Sequence, residues 1–297
     1  MRAAVVTEFG GPEAVTIADA EVPEPGAGQV RIKVDAAALN PVDGGTRAGV
    51  FGAAAGGPYT GLGWDAAGTV DAAGAGAGFA AGDAVVALVH GVAKPLGSHA
   101  EYVVVDAAAV APAPTTVDAV HAATLPLNAL AADQALGLLD PAPGSSLLVT
   151  GAAGALGAYA VQLAVDRGVS VTGLARESDE ELVRSLGAAF TTAPAPAGHD
   201  AVLDAAVLGG AQTLRWTRDG GALAAVIPHT APAPVRAIRT AALDVRADGP
   251  RLAELTRLVD AGTLTLRVAE TYALTDAPKA HARLAEGGIR GRLVLVP

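Results

Sequence analysis

The chain has 297 residues, enough for one large domain or two ordinary ones. Hydrophobic residues make up 51%, ample for buried cores, yet no uninterrupted apolar stretch approaches the ~18 residues of a membrane-spanning helix. A formal net charge of −10 argues against nucleic acid or an anionic membrane as partner, and the absence of cysteine excludes disulfides and a thiolate zinc site. The six histidines are scattered without metal-ligand spacing and most are expected on the surface or in loops; no metal is expected. Met1-Arg2-Ala3-Ala4-Val5-Val6 runs straight into strand-like sequence without a leader layout, which predicts a cytoplasmic protein. Seventeen arginines against three lysines, amid abundant Ala and Gly, look like genomic base-composition bias, so single Gly or Ala matches carry little information.

From the N-terminus, Ala3–Val6, Val30–Val34, Ala67–Val70, Ala84–Val89 and Glu101–Val105 are β-rich runs. Pro23-Glu24-Pro25-Gly26, Gly74-Ala75-Gly76 and Ala81-Gly82-Asp83 punctuate them, the pattern of a compact barrel-like β domain. Near residue 117 the rhythm changes to alternating helix and strand. Ala119–Leu139 reads as a helix, Leu147–Thr150 as a strand, Gly151–Arg167 as turn and helix, and Val169–Ala175 as a second strand. Helix Asp179–Leu186, strand Ala201–Ala205, short helix Gln212–Thr217, strand Ala222–Ile227 and helix Arg251–Ala261 follow. This βαβ order predicts a doubly wound parallel sheet with its ligand beyond the carboxyl ends of the strands, where Ala205 and Ile227 lie. Strand Thr263–Leu274, helix Ala277–Leu284 and strand Leu293–Val296 are expected to return to the first domain. The expected division is therefore 1–116 with 263–297, and 117–262.

The most informative segment is Leu147-Leu148-Val149-Thr150-Gly151-Ala152-Ala153-Gly154-Ala155-Leu156-Gly157, an apolar strand, a glycine-dense turn and the start of a helix. Unpaired helix-start N–H groups and the positive end of the helix dipole suit a pyrophosphate. The three positions of the G-x-G-x-x-G pattern fall on Ala152, Gly154 and Gly157, so the first glycine is missing. About 20 residues on, where an acidic residue would hold the ribose 2′-hydroxyl of NAD, stand Arg176 and, two residues later, Ser178. A guanidinium there suits a 2′-phosphate and predicts NADP(H). The alternative is a solvated Arg176 with Glu177 serving the ribose.

A wider set of motifs occurs in order: Pro25-Gly26, Leu39-Asn40-Pro41-Val42-Asp43, Gly63-Trp64-Asp65 with Ala67-Gly68, Gly82-Asp83, Ala100-Glu101-Tyr102, Leu125-Pro126, the glycine turn, Arg184-Ser185-Leu186-Gly187-Ala188 and Gly291-Arg292-Leu293-Val294-Leu295. With them the chain resembles a zinc-free medium-chain dehydrogenase/reductase of the quinone oxidoreductase (zeta-crystallin) branch. The resemblance implies a GroES-like β-barrel domain, a Rossmann domain with NADPH in the cleft between them, and hydride transfer to a quinone or an activated C=C bond. It also implies a homodimer acting on a small molecule. Three features depart from the pattern: Phe51 stands where a tyrosine is frequent, Ala131 and Asp133 replace a threonine and an aromatic in the helix after Leu125-Pro126, and no tyrosine lies around Thr192–Pro194.

By family position Asn40 reaches the nicotinamide ribose or the substrate oxygen; the alternative is that it only shapes the turn before Pro41. Asp43 reads as a helix cap and Asp65 as a buried structural carboxylate. Tyr59 would replace the hydroxyl lost at Phe51, or else is structural beside Pro58. Water is a further candidate proton source. The Tyr–Lys pair of short-chain dehydrogenases is absent, since Gly63, Asp106, Leu163 and Asp276 stand four residues after the tyrosines, and neither a G-x-S-x-G elbow nor a Walker motif occurs. Two other readings share this fold: a nucleotide-binding protein with little redox activity, and a non-redox enzyme such as a cyclase.

Overall fold

The computed structural model describes residues 1–55 and 57–297. Its first strands and helices are β1 (Arg2–Val6), β2 (Val15–Asp19), β3 (Gln29–Ala38), α1 (Pro41–Arg47), β4 (Thr60–Gly61), β5 (Asp65–Ala73), β6 (Ala84–Leu88), β7 (Tyr102–Asp106), β8 (Val110–Pro112) and α2 (Ala119–Ala122). There follow α3 (Pro126–Leu139), β9 (Ser146–Thr150), α4 (Ala155–Asp166), β10 (Ser170–Leu174), α5 (Glu180–Ser185), β11 (Ala189–Thr191), β12 (His199–Asp204), α6 (Gly210–Trp216), β13 (Thr217–Ala225) and β14 (Arg239–Ala242). The chain ends with α7 (Gly249–Asp260), β15 (Val268–Ala273), α8 (Ala277–Glu286) and β16 (Arg292–Val296). Two compact units result: residues 1–127 with 247–261 and 266–297, and residues 128–246 with 262–265.

The first unit is built on β3. Val30, Ile32 and Val34 are buried while Arg31, Lys33 and Asp35 point away, the two-residue alternation of a strand with one face in a core. β3 pairs antiparallel with β5, β7 and β16, in the sheet order β15–β16–β3–β5–β6–β8; β2–β1–β4 form a second sheet. Val294 and Leu295 of β16 lie opposite Ala38 and Ala37, so the C-terminal strand completes a sheet begun near the N-terminus. Helix α7 packs on β8. Asp260, its last residue, accepts hydrogen bonds from the backbone and hydroxyl of both Thr115 and Thr116. Packing thus groups α7 with the β-rich unit, whereas chain order places it in the alternating segment.

In the second unit all six strands are parallel, ordered β11–β10–β9–β12–β13–β14. Leu147, Leu148 and Val149 of β9 are fully buried, as expected of a strand covered on both faces. The connections diverge in opposite directions from β9, which makes the junction of β9 and β12 the switch point of the sheet.

Three expectations are corrected. The helix over Ala119–Leu139 is two helices, because Pro126 lacks an N–H and cannot continue the turn that precedes it. The strand over Thr263–Leu274 forms only at Val268–Ala273, after a turn at Gly262 with φ +77°. His99, His199 and His281 are buried rather than superficial; β2, β4, β8, β11 and β14 were not legible.

His281 of α8 is fully buried, its ring 6.0 Å from that of His99. Burial, reinforced by His99, lowers its pKa from 6.5 to about 3, and burial lowers His99 too; Asp43 opposes both shifts. The folded chain therefore carries neutral imidazoles that take up protons on unfolding. Stability from His281 is complete above pH 6.5 and is lost as pH falls toward 3, by up to ~1.4 kcal/mol per pH unit. Denaturant unfolding at pH 7.5 and 4.5 should show a smaller acid loss in His281→Leu than in the wild type. Equal losses would remove His281 from the acid response.

Candidate functional site

The turn between β9 and α4 is shaped by a close approach of backbone to backbone. A Cβ on Gly157 would lie 2.2 Å from the carbonyl oxygen of Gly151, so only glycine lets the first turn of α4 settle against the strand end. Gly154 is the N-cap, with no side chain to satisfy the amides that follow. The amides of Ala155, Leu156 and Gly157 open a twelve-residue helix and have no carbonyl four residues back to bond, which leaves them for an anion.

The missing first glycine has a structural answer. Ala152 is fully buried and its methyl points at β10, where a Cβ on Gly173 would lie 2.7 Å from it and 2.6 Å from Val183 Cγ1. The space that a glycine at 152 would leave is supplied across the strand pair by Gly173. This compensation was readable in neither segment alone.

Beyond β10, Arg176, Glu177 and Ser178 are all exposed. Arg176 makes no ion pair among the described residues, so its guanidinium is available to an anion, whereas a long partnered side chain would have to be freed first. On the other side of the turn, Thr150 donates its hydroxyl to Asp204 (2.8 Å) and accepts from the amide of Ala206 (2.9 Å). Asp204 also accepts from the amides of Leu208 (3.0 Å) and Gly209 (2.9 Å). A small pocket opens at the ends of β12 and β13, with Asp204, Val207, Thr213, Leu223, Ala225 and Pro232 among its walls. Ala205 is half-buried beside this pocket, and Ile227 lies exposed two residues past β13. Asp204 was not singled out from the sequence; a buried acid ending an apolar strand was the available signal.

In the first unit, Asn40 caps α1 and forms a capping box with Asp43. Its side chain is 1% exposed, donates to Asp65 (2.8 Å) and accepts from Arg292 (2.7 Å). Arg292 also donates to the carbonyl of Leu39 and lies 3.2 Å from Asp65, which further accepts from the amide of Leu127. Burial pushes the Asp65 pKa up, opposed first by the Arg292 charge and then by the Asn40 amide. Asp43 accepts from the amides of Asn40 and Gly63. Asn40 is thus held at both ends by protein groups. Nearby, Lys94 donates to the Val89 carbonyl and lies over the Trp64 ring, 4.8 Å from its centroid; burial pushes its pKa down to about 8. Phe51 is 41% exposed with its ring edge against Gly45, and Tyr59 packs on Ala3, Val5 and Ala100.

Comparison with known proteins agrees with this arrangement. Residues 26–115 match the alcohol dehydrogenase GroES-like domain family, and residues 179–295 the zinc-binding dehydrogenase family. The chain is 39% identical over 196 residues to an NADPH-dependent alkenal/one oxidoreductase, chloroplastic, of Arabidopsis thaliana. That match covers 63% of this chain but only 51% of the plant protein, about half its length. The structure of a quinone oxidoreductase from Coxiella burnetii superposes with a TM-score of 0.89 at 28% identity, over all of this chain and 99% of that one. A structure named NAD-dependent alcohol dehydrogenase superposes with a TM-score of 0.86 at 30% identity over the whole of both chains. The chain belongs to the medium-chain dehydrogenase/reductase family, in its quinone-oxidoreductase-like branch.

Two stability measurements check this geometry. Gly173→Ala should cost about 1–3 kcal/mol by overpacking, and adding Ala152→Gly should recover part of that loss; additive effects of the two changes would refute the compensation. Arg292→Met, which leaves Asp65 buried without its counter-charge, should cost ~3–5 kcal/mol in denaturant unfolding.

Proposed function

We propose that the protein is an NADPH-dependent, zinc-independent oxidoreductase that delivers hydride to a quinone or an α,β-unsaturated carbonyl. The observation that carries this reading is the turn at Thr150, Gly151, Ala152, Ala153, Gly154, Ala155, Leu156 and Gly157. It sits at the switch point of a parallel sheet, and past the neighbouring strand stands Arg176, whose guanidinium makes no ion pair among the described residues. These residues fit a dinucleotide: the amides of Ala155 to Gly157 would hold its diphosphate, Arg176 and Ser178 its 2′-phosphate, and Ala205 and Ile227 would flank its other half. When bound, the reduced nicotinamide supplies the hydride. Zinc independence rests on the donor set: there is no cysteine, and among the described residues no three His, Asp or Glu side chains gather as a metal cage. The acceptor class rests on the names of the similar plant and Coxiella proteins.

Asn40 serves this chemistry from the first unit. Locked by Asp65 and Arg292, its amide fixes the Leu39–Pro41 turn, and Phe51 and Tyr59 are the aromatic groups proposed to flank the acceptor. No dedicated acid is required, because water can protonate the enolate or quinolate that hydride transfer leaves. We also propose a cytoplasmic homodimer whose functional domains divide as 1–116 with 263–297, and 117–262. The engagement of Asn40 at both ends, together with the missing hydroxyl at Phe51, favours one second reading, a nucleotide-binding protein with little turnover.

Incubation with NADPH and a panel of quinones and enones, followed at the absorbance of the reduced nicotinamide, separates the two. Oxidation with at least one acceptor is expected; saturable binding without turnover on any would favour the second reading. Arg176→Ala should weaken NADPH about ten- to hundredfold relative to NADH, the size of a lost charge-assisted hydrogen bond. Equal weakening of both cofactors would discredit Arg176 as the reader of the phosphate.

A further inference from the structure

We infer that Asp204 is a positioning residue that ties the glycine turn to the 205–209 loop and presets that loop for the nicotinamide half of the cofactor. The inference rests on the reading of the protein as an NADPH-binding enzyme and deepens it.

Three observations converge. First, Asp204 closes a ring of hydrogen bonds between two strands that are far apart in sequence. Its Oδ1 accepts from the Thr150 hydroxyl and the Leu208 amide, its Oδ2 from the Gly209 amide, and the Thr150 hydroxyl accepts in turn from the Ala206 amide. Both side chains are buried, at 4% and 0% exposure, so these bonds compete little with water. Second, the loop so held contains Val207 at φ +56°, a left-handed conformation that a β-branched residue avoids. Such strain persists only where the surroundings over-determine it, and here the surroundings are the carboxylate of Asp204 on the next two amides. Third, Val207 and Leu208 are 51% and 40% exposed, so the strain serves no buried packing.

The placement gives the strain a use. In a doubly wound sheet the two mononucleotide halves lie on either side of the first strand, beyond the carboxyl ends. β9 is that strand, and β10 with Arg176 lies on one side. β12, ending at Asp204, lies on the other, so the 205–209 loop belongs to the half opposite the 2′-phosphate. Asp204 does not itself need to touch the cofactor: all its described bonds go to protein groups. It acts by fixing the loop that forms the wall, at the same time as it anchors Thr150 at the entry to the turn.

The test compares two ligands by titration calorimetry: NADPH, and adenosine 2′,5′-bisphosphate, which lacks the nicotinamide half. Asp204→Asn keeps the shape but puts a donor where one set of amides needs an acceptor. It should raise the Kd for NADPH about tenfold, the scale of one hydrogen-bonded support, while the bisphosphate stays within about twofold. Val207→Gly releases the strain. It should leave Tm unchanged or higher, yet weaken NADPH and spare the bisphosphate, a split that a purely structural loop would not give. Equal weakening of both ligands, or no change in NADPH with either variant, overturns the inference while the NADPH reading stands. A wild type that binds neither ligand overturns the NADPH reading and this inference with it.

Discussion

The constraint on which the second unit depends is the near-contact between the Gly151 carbonyl and the Cα of Gly157. It forces α4 to begin directly against the end of β9, so that its first amides face the space above the sheet. Everything at the switch point is arranged around that approach. Gly173 clears room for the Ala152 methyl, Thr150 turns its hydroxyl toward Asp204, and the Leu208 and Gly209 amides are drawn to the same carboxylate. A sheet that is apolar on both faces is thereby left with one polar rim, and the rim is where an anion and two sugars can be satisfied.

The first unit places its charges differently. Asn40, Asp65 and Arg292 come from a helix cap, a strand start and the last strand, and meet where nearly no water reaches. Burial alone would drive Asp65 toward its protonated form; the guanidinium and the amide hold against it. Such a cluster contributes little net stability compared with an apolar replacement of equal shape. Its loss of one member is costly, however, because the remaining charge has no exit to solvent. It therefore specifies how the two ends of the chain are joined in one sheet. The buried His99 and His281 lie in the same unit and add an acid-sensitive layer to the same join.

Much of this was legible in residue order. The alternation in Val30–Val34, the unbroken apolar run Leu147–Val149 and the glycines at 154 and 157 are local signals, each with a local cause: the strand period, burial on both faces and a crowded turn. The short strands β4, β8 and β14 carry too few residues for a period to show, and they form because a neighbouring strand offers them a hydrogen-bonding edge. Three histidines were misplaced because an imidazole has no pattern that distinguishes a buried ring from a solvated one.

By itself the sequence determined the order of elements, the anion-suited turn and the arginine beyond β10, since each shows in the residue types of its own segment. Only the tertiary structure decided that Gly173 excuses Ala152, that Asp204 bonds Thr150 and that Asn40 is clasped by Asp65 and Arg292. Those pairs are separated by 21 to 252 residues, and their chemistry is a matter of distance in space. No local preference encodes a contact that exists only after the sheets have closed.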